Sequence, residues 1–372
     1  MKIYYEDSMP YAAEFFADLG EAVVFSHKTI DAETIKDADV LLVRSTTKVN
    51  QELLHLATNL KFVGTATAGT DHVDIKYLAS RGIPFFSAGG CNAVAVAEYV
   101  LSTLFVMADK LDWQVADKTI GIIGAGHVGT ALSKHLSALG INYKLCDPPL
   151  QDNGDSRTFV SMQEIMQCDV ITLHVPWVKD GVYKTENMFD KAQLAQLSDG
   201  QVLINACRGE VLNNQAALEL FKEGHRFQLV LDVWENEPDI NLELMPFTAL
   251  ATAHIAGHTI EGKARGTEML YLDLCQQLNI QPNKELTDYL PIAAPSDIAL
   301  ESTEPFWQGI RNIVLDVYNI ADDDRQFKAQ VDGGEQFRYI RKHYPIRREF
   351  SAIKVNAGNF VNSKAIYDLG FL

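Results

Sequence analysis

Short apolar runs of four or five residues, set off by polar turns and followed by stretches with helical spacing, fill about the first 280 positions of the chain. Lys2–Tyr5, Val40–Val43, Phe62–Thr65 and Pro84–Phe86 read as strands, and Gln51–Ala57 and Ile75–Arg81 as helices. A long apolar stretch from Ala93 to Ala108, interrupted by Glu98, is too short to span a bilayer and reads as a buried helix. Beyond it the pattern restarts more strongly. Strands are expected at Thr119–Ile123, Tyr143–Cys146, Val170–Leu173, Val202–Asn205 and Leu229–Asp232, with helices at His127–Leu139, Met162–Gln167, Lys191–Leu197 and Asn213–Glu223. Such βα repetition predicts an α/β fold of parallel, doubly wound sheets. After Gln281 the pattern changes: Pro282, Pro291, Pro295 and Pro305 punctuate the chain, a helix is expected over Trp307–Asn319, and a basic run extends from Arg338 to Arg348.

At 372 residues the chain is long enough for two or three domains, and 47% hydrophobic with 22% charged residues is ordinary for a globular protein. A formal net charge of -17 argues against nucleic acid and against an anionic membrane as partners, since both would repel it. A small anionic substrate is still admissible, because it feels local arginines more than distant charge. Five scattered cysteines with no CxxC fit a reducing compartment and give no zinc site. Met1 to Phe16 lacks the basic start and apolar core of a secretory signal, so a cytoplasmic location is expected.

Gly124, Gly126 and Gly129 form G-x-G-x-x-G directly after the strand Thr119–Ile123 and at the start of the helix His127–Leu139. That is the context the motif requires: a tight turn, close approach of a pyrophosphate, and helix amides aimed at the phosphates. Asp147 ends the next strand, where a carboxylate accepts from the adenosine ribose and repels a 2'-phosphate. The expected cofactor is therefore NAD rather than NADP.

Three groups stand after later strands. Arg208 lies in Asn-Ala-Cys-Arg-Gly-Glu, Glu237 in Asp-Val-Trp-Glu-Asn-Glu-Pro, and His254 after the apolar segment Ala249–Ala253. A guanidinium fork suits a carboxylate, a histidine exchanges protons near neutral pH, and a neighbouring acid holds its ring. Each alone fits a blander role, an ion pair or a structural histidine. The spacing of His254 and His258 matches one helical turn, but no HExxH or third ligand accompanies it, so no metal is expected.

Together these motifs, with Ala-His-Ile-Ala-Gly at 253–257, resemble the D-isomer-specific 2-hydroxyacid dehydrogenases. The resemblance implies two Rossmann-like domains: a substrate-binding domain of residues 1–93 plus 256–285 and an NAD-binding domain of 94–255. It assigns Arg208 to the substrate carboxylate and carbonyl, Glu237 to His254, and His254 to acid/base duty. It places His127, Val128, Val175, Ala206, Cys207, Arg208, Asp232 and Gly257 beside the cofactor with the three glycines and Asp147, and the backbone of 68–74 beside the substrate. Ordinary family members end soon after His254, whereas this chain continues. Its segments 41–50, 64–72 and 254–266 resemble a member that oxidises a phosphorylated four-carbon 2-hydroxy acid on the route to pyridoxal phosphate. That member carries an additional C-terminal domain that dimerises, which implies an α+β dimerisation domain at 286–372 and a homodimer. Arg44 and Lys48, with Ser45, Thr46 and Thr67, offer the cation and hydroxyl donors a phosphate needs, although a solvated basic edge fits them equally. His258 stands where a substrate-touching tyrosine is expected. Two other readings compete: a phosphoglycerate or glycerate dehydrogenase of the same family, and a dinucleotide-sensing binding protein of the same fold.

Overall fold

The computed structural model describes every residue of the chain except Ser302 and Asn359. It divides into two compact units, Met1–Asn92 with Thr259–Ile292 and Ala93–His258 with Ala293–Leu372. These bounds differ from those expected. Residues 256–258 fall in the second unit, because Ala256 is buried there and its amide donates to Asp232. Residues 286–292 fall in the first, where Leu286 joins the core and its amide donates to Glu268.

The first unit is a five-stranded parallel sheet in the order β2-β1-β3-β4-β5, with β1 Lys2–Glu6, β2 Glu21–Phe25, β3 Val40–Val43, β4 Phe62–Thr65 and β5 Phe85–Ser87. Both β3 and β4 are buried throughout, as apolar strands covered on two faces must be. The edge strand β2 was not expected from the sequence; its half-exposed Glu-Ala-Val-Val-Phe lacks a clear period. The helix Ile260–Leu278 returns to this unit and packs Leu270 beside Gly64, where a side chain would come 2.8 Å from the leucine.

The second unit holds a six-stranded parallel sheet in the order β11-β10-β9-β8-β6-β7. Its strands are β6 Thr119–Ile123, β7 Asn142–Cys146, β8 Val170–Leu173, β9 Val202–Asn205, β10 Gln228–Leu231 and β11 Thr248–Ala251. The expected long helix is present as Ala93–Leu111, and its buried Glu98 accepts the Phe350 amide at 2.8 Å. In both sheets the first strand lies between the second and third. The crevice of such a sheet opens at the carboxyl ends of the first and third strands, where successive helices leave on opposite faces.

The described residues of 293–372 form a small parallel sheet, β12 Asp297–Ala299 with β13 Lys354–Asn356, and the α-helices Phe306–Val317, Ile320–Gln330, Gly334–Lys342 and Lys364–Asp368. This segment does not stand apart from the nucleotide sheet. Ile310, Ile313, Val314 and Phe350 share one core with Val100, Leu104 and Leu136. The helix Ile320–Gln330 also covers β11, the edge of the large sheet: Asp324 accepts the Ala251 amide at 2.7 Å and Lys328 donates to the Thr248 carbonyl at 2.9 Å. Among the described residues no helix is long and apolar enough to cross a membrane.

Candidate active site

The glycine loop follows β6 and opens the helix His127–Leu139. Gly124 has φ +91, and a side chain there would meet the His174 carbonyl oxygen at 2.4 Å. At Gly129 a side chain would come 2.2 Å from the Gly124 carbonyl oxygen. Only glycine allows either approach. Gly126 differs, because a Cβ there meets no protein atom within 4 Å. Gly126 and His127 are exposed and Val128 half-buried, so the loop offers open space beside helix amides, which fits a dinucleotide pyrophosphate. Asp147 braces the same loop. Its carboxylate accepts the Ala125 amide at 2.8 Å and the Leu150 amide at 3.0 Å, leaving other lone pairs for a ribose. Arg157, which the sequence reading passed over, donates to the Ala125 carbonyl and to Thr130, both at 2.9 Å. Val175 lies beside Gly124, its Cγ1 only 3.0 Å from where a side chain on that glycine would begin.

The three proposed catalytic side chains leave the carboxyl ends of β9, β10 and β11, which are neighbours in the sheet. After β9 the Asn205 side chain donates to the Arg208 carbonyl at 2.9 Å and accepts the Cys207 amide at 3.2 Å, closing the turn that presents Arg208. Gly209 then packs on the Trp234 carbonyl, where a Cβ would stand 1.9 Å from the oxygen. This contact joins the Arg208 loop to the loop of Glu237. Ala206 is half-buried; Cys207 is buried, and burial pushes its thiol up to about 11, so it is no nucleophile.

Glu237 accepts the Trp234 amide at 2.9 Å through one oxygen and faces His254 Nδ1 at 2.7 Å through the other. Burial pushes the Glu237 carboxyl up, but the His254 ring, its hydrogen bond, the Trp234 amide and the charge of Arg341 outweigh it and hold the group below its ordinary value. His254 has φ +57, a conformation that costs a non-glycine residue free energy and is kept only where the surroundings hold it. Asp232 does this. Its carbonyl accepts the His254 amide at 2.7 Å, and its buried carboxylate accepts the amides of Ile255 at 2.7 Å and Ala256 at 3.0 Å and the Thr252 hydroxyl. Asp232, expected beside the cofactor, thus also holds the His254 turn. Gly257 and His258 follow, half-buried, and the His258 ring meets Tyr344 edge-on at 6.2 Å.

In the first unit the crevice between β1 and β3 holds the loop of Arg44, Ser45, Thr46 and Thr47. Ser45 is exposed and Arg44 half-buried, and the neighbouring strand end carries Thr67, which donates to the Gly69 carbonyl at 2.9 Å. Glu6, at the end of β1, organises the loop. Fully buried, it accepts the Arg44 amide at 2.9 Å and the hydroxyls of Thr46 at 2.7 Å, Thr47 at 2.6 Å and Ser8 at 2.5 Å. Burial raises the Glu6 carboxyl, and these donors more than reverse the effect. No sequence motif signals Glu6, since a lone acid at a strand end has no pattern to distinguish it.

Comparison with known proteins agrees with this geometry. Residues 98–258 match the D-isomer specific 2-hydroxyacid dehydrogenase NAD binding domain, and 289–370 match a domain of unknown function. Erythronate-4-phosphate dehydrogenase of Pseudoalteromonas atlantica is 62% identical over 371 residues, covering 100% of this chain and 99% of the relative. The enzyme of the same name from Colwellia psychrerythraea is 48% identical with the same coverage. Among solved structures, NAD-bound 3-phosphoglycerate dehydrogenase of Entamoeba histolytica aligns with a TM-score of 0.63 at 24% identity, over 76% of this chain and 99% of that one. D-Lactate dehydrogenase of Aquifex aeolicus, solved with NAD and lactic acid, aligns with a TM-score of 0.59 at 23% identity, over 74% and 95%. These structures share the fold, and the cofactor is NAD. With its glycine loop, its Glu237–His254 pair and its full-length relatives, this chain belongs to the D-isomer specific 2-hydroxyacid dehydrogenase family, on the branch of the erythronate-4-phosphate dehydrogenases.

Proposed function

We propose that this dehydrogenase oxidises 4-phospho-D-erythronate at C2 to 2-oxo-3-hydroxy-4-phosphobutanoate, a step toward pyridoxal phosphate, in the cytoplasm and as a homodimer. The observation that carries the chemistry is the 2.7 Å bond from His254 Nδ1 to Glu237, which leaves Nε2 as the atom that exchanges a proton. His254 takes the proton of the C2 hydroxyl as the carbonyl forms. Glu237 keeps the ring oriented and stabilises the imidazolium, and Arg208 holds the substrate carboxylate and the C2 oxygen. The Gly124–Gly129 loop and Asp147 would hold NAD, which when bound would be the oxidant for the hydride leaving C2. Arg44, Ser45, Thr67 and His258 are proposed to bind the phosphorylated substrate. Full-length relatives named for erythronate 4-phosphate favour this substrate over 3-phosphoglycerate or glycerate. The five buried free cysteines support a reducing compartment.

Incubating the protein with NAD and a panel of 4-phospho-D-erythronate, D-erythronate, 3-phospho-D-glycerate and D-glycerate, followed by NADH absorbance, tests the substrate. The expected order places 4-phospho-D-erythronate first in kcat/KM by at least about tenfold, or more than about 1.4 kcal/mol of transition-state discrimination. Equal rates with the unphosphorylated acid would overturn the assignment.

A further inference from the structure

The basic run 338–348 has no place in the chemistry above, yet the structure sets two of its arginines against the turn that carries His254. Arg341, half-buried in the last turn of the helix Gly334–Lys342, donates from Nε to the His254 carbonyl over 3.3 Å, and its charge acts on Glu237. The other end of the same helix rests on the Glu237 loop: a Cβ on Gly334 would lie 2.1 Å from the Asp239 carboxylate and 3.3 Å from the Pro238 carbonyl oxygen. One helix therefore contacts the His254 turn and the loop that carries Glu237. Arg347, buried, donates to the Ala256 carbonyl and, at 3.0 Å, to the Ala95 carbonyl.

We propose that the C-terminal segment braces the Glu237–His254 pair, with Arg341 as its positioning residue; the proposal rests on reading His254 as the base. His254 holds a left-handed backbone conformation that a histidine does not favour by itself. Asp232 ties the amide side of the turn, and Arg341 ties the carbonyl of the strained residue. A guanidinium suits the task because it stays charged, donates to a carbonyl and sustains the neighbouring carboxylate with one group. A base displaced by a fraction of an ångström loses rate without losing substrate affinity, so the brace acts on kcat.

The test compares Arg341→Met, which keeps the aliphatic stem and removes the charge and donor, with Arg341→Lys, which restores both. Arg341→Met is expected to lower kcat for 4-phospho-D-erythronate by about tenfold, with both KM values within about twofold of wild type, and Arg341→Lys to recover most of the loss. A second readout needs no substrate. The proton between His254 Nδ1 and Glu237 gives a downfield NMR signal, assigned by its loss in His254→Ala, and Arg341→Met should shift or broaden it. An unmoved signal, an unchanged kcat, or a lysine variant no better than methionine would overturn the proposal. Wild-type protein inert toward 4-phospho-D-erythronate would instead defeat the substrate assignment, and the signal would still decide the brace.

Discussion

Single side chains in this protein are informative where they satisfy several backbone groups at once. Glu6 and Asp232 are both buried carboxylates at strand ends, and each gathers the donors of a loop that the proposed function uses. Neither was legible as an organiser in the sequence, because the donors come from distant positions, across 38 residues for Arg44 and Glu6. Arg208, Glu237 and His254 were legible, since each sits in a local motif after a strand. Arg208→Ala is expected to lower kcat/KM by at least about a hundredfold, near 3 kcal/mol, because no other cation holds the carboxylate and carbonyl in the proposed site. Retention of more than about a tenth of wild-type efficiency would remove it from the site. Glu6 makes a stability prediction with a definite sign. Its carboxyl titrates below the ordinary value when folded, so its contribution is complete above the ordinary carboxylate range and disappears as pH falls through the folded value. Glu6→Gln should cost about 1–3 kcal/mol at neutral pH, since it strands hydroxyl and amide donors. Urea midpoints of wild type and variant should converge as pH falls through the folded value; a gap that stays constant would mean that Glu6 is not ionised in the fold.

At the scale of elements, the glycine loop separates folding from cofactor binding by position. Gly129→Ala pushes a methyl group into the Gly124 carbonyl and must open the turn, so it should lower both the melting temperature and NAD affinity. Gly126→Ala meets no protein atom, so the melting temperature should hold while the dissociation constant for NAD rises by about tenfold or more. Calorimetric titration with NAD reads both; undiminished affinity in Gly126→Ala would place the pyrophosphate elsewhere. The elements that carry this loop were readable because a buried parallel strand is a continuous apolar run and a motif follows it. Thr119–Ile123, Val170–Leu173 and Val202–Asn205 match their expected bounds for that reason. The helix Ile260–Leu278 was not foreseen: Glu-Gly-Lys-Ala-Arg-Gly at its start reads as a polar loop, and its fold comes from the Thr259 cap and from packing on Gly64. The helices Ile320–Gln330 and Gly334–Lys342 escaped for a related reason. Their polar faces hold the edge of a sheet through Asp324 and Lys328, and lean on the His254 turn through Arg341.

For the whole molecule the question is what the eighty residues after Ile292 contribute, since the structural relatives match only about three quarters of the chain. The sequence suggested a separate dimerisation domain at 286–372, with a helix over Trp307–Asn319 whose Trp307, Ile310, Ile313, Val314 and Val317 at helical spacing make an apolar face that needs a partner. In the structure Ile310, Ile313 and Val314 of that face are buried against the nucleotide unit of the same chain. The proposed dimer would then rest on other surface, where exposed Ile346, Val361 and Leu372 offer apolar area. Cutting the chain after Ile292 therefore does more than release a monomer. It uncovers Val100 and Leu104, strips the β11 edge of Asp324 and Lys328, and leaves His254 without Arg341. Truncated protein is expected to bind a hydrophobic dye, unfold at lower urea than the full chain and aggregate through the uncovered edge. Full-length protein should sediment as a dimer and exclude the dye. A truncated form that sediments as a compact monomer with an undiminished urea midpoint would show that the segment serves association alone. It would also show that the edge of β11 and the His254 turn hold their shape without it.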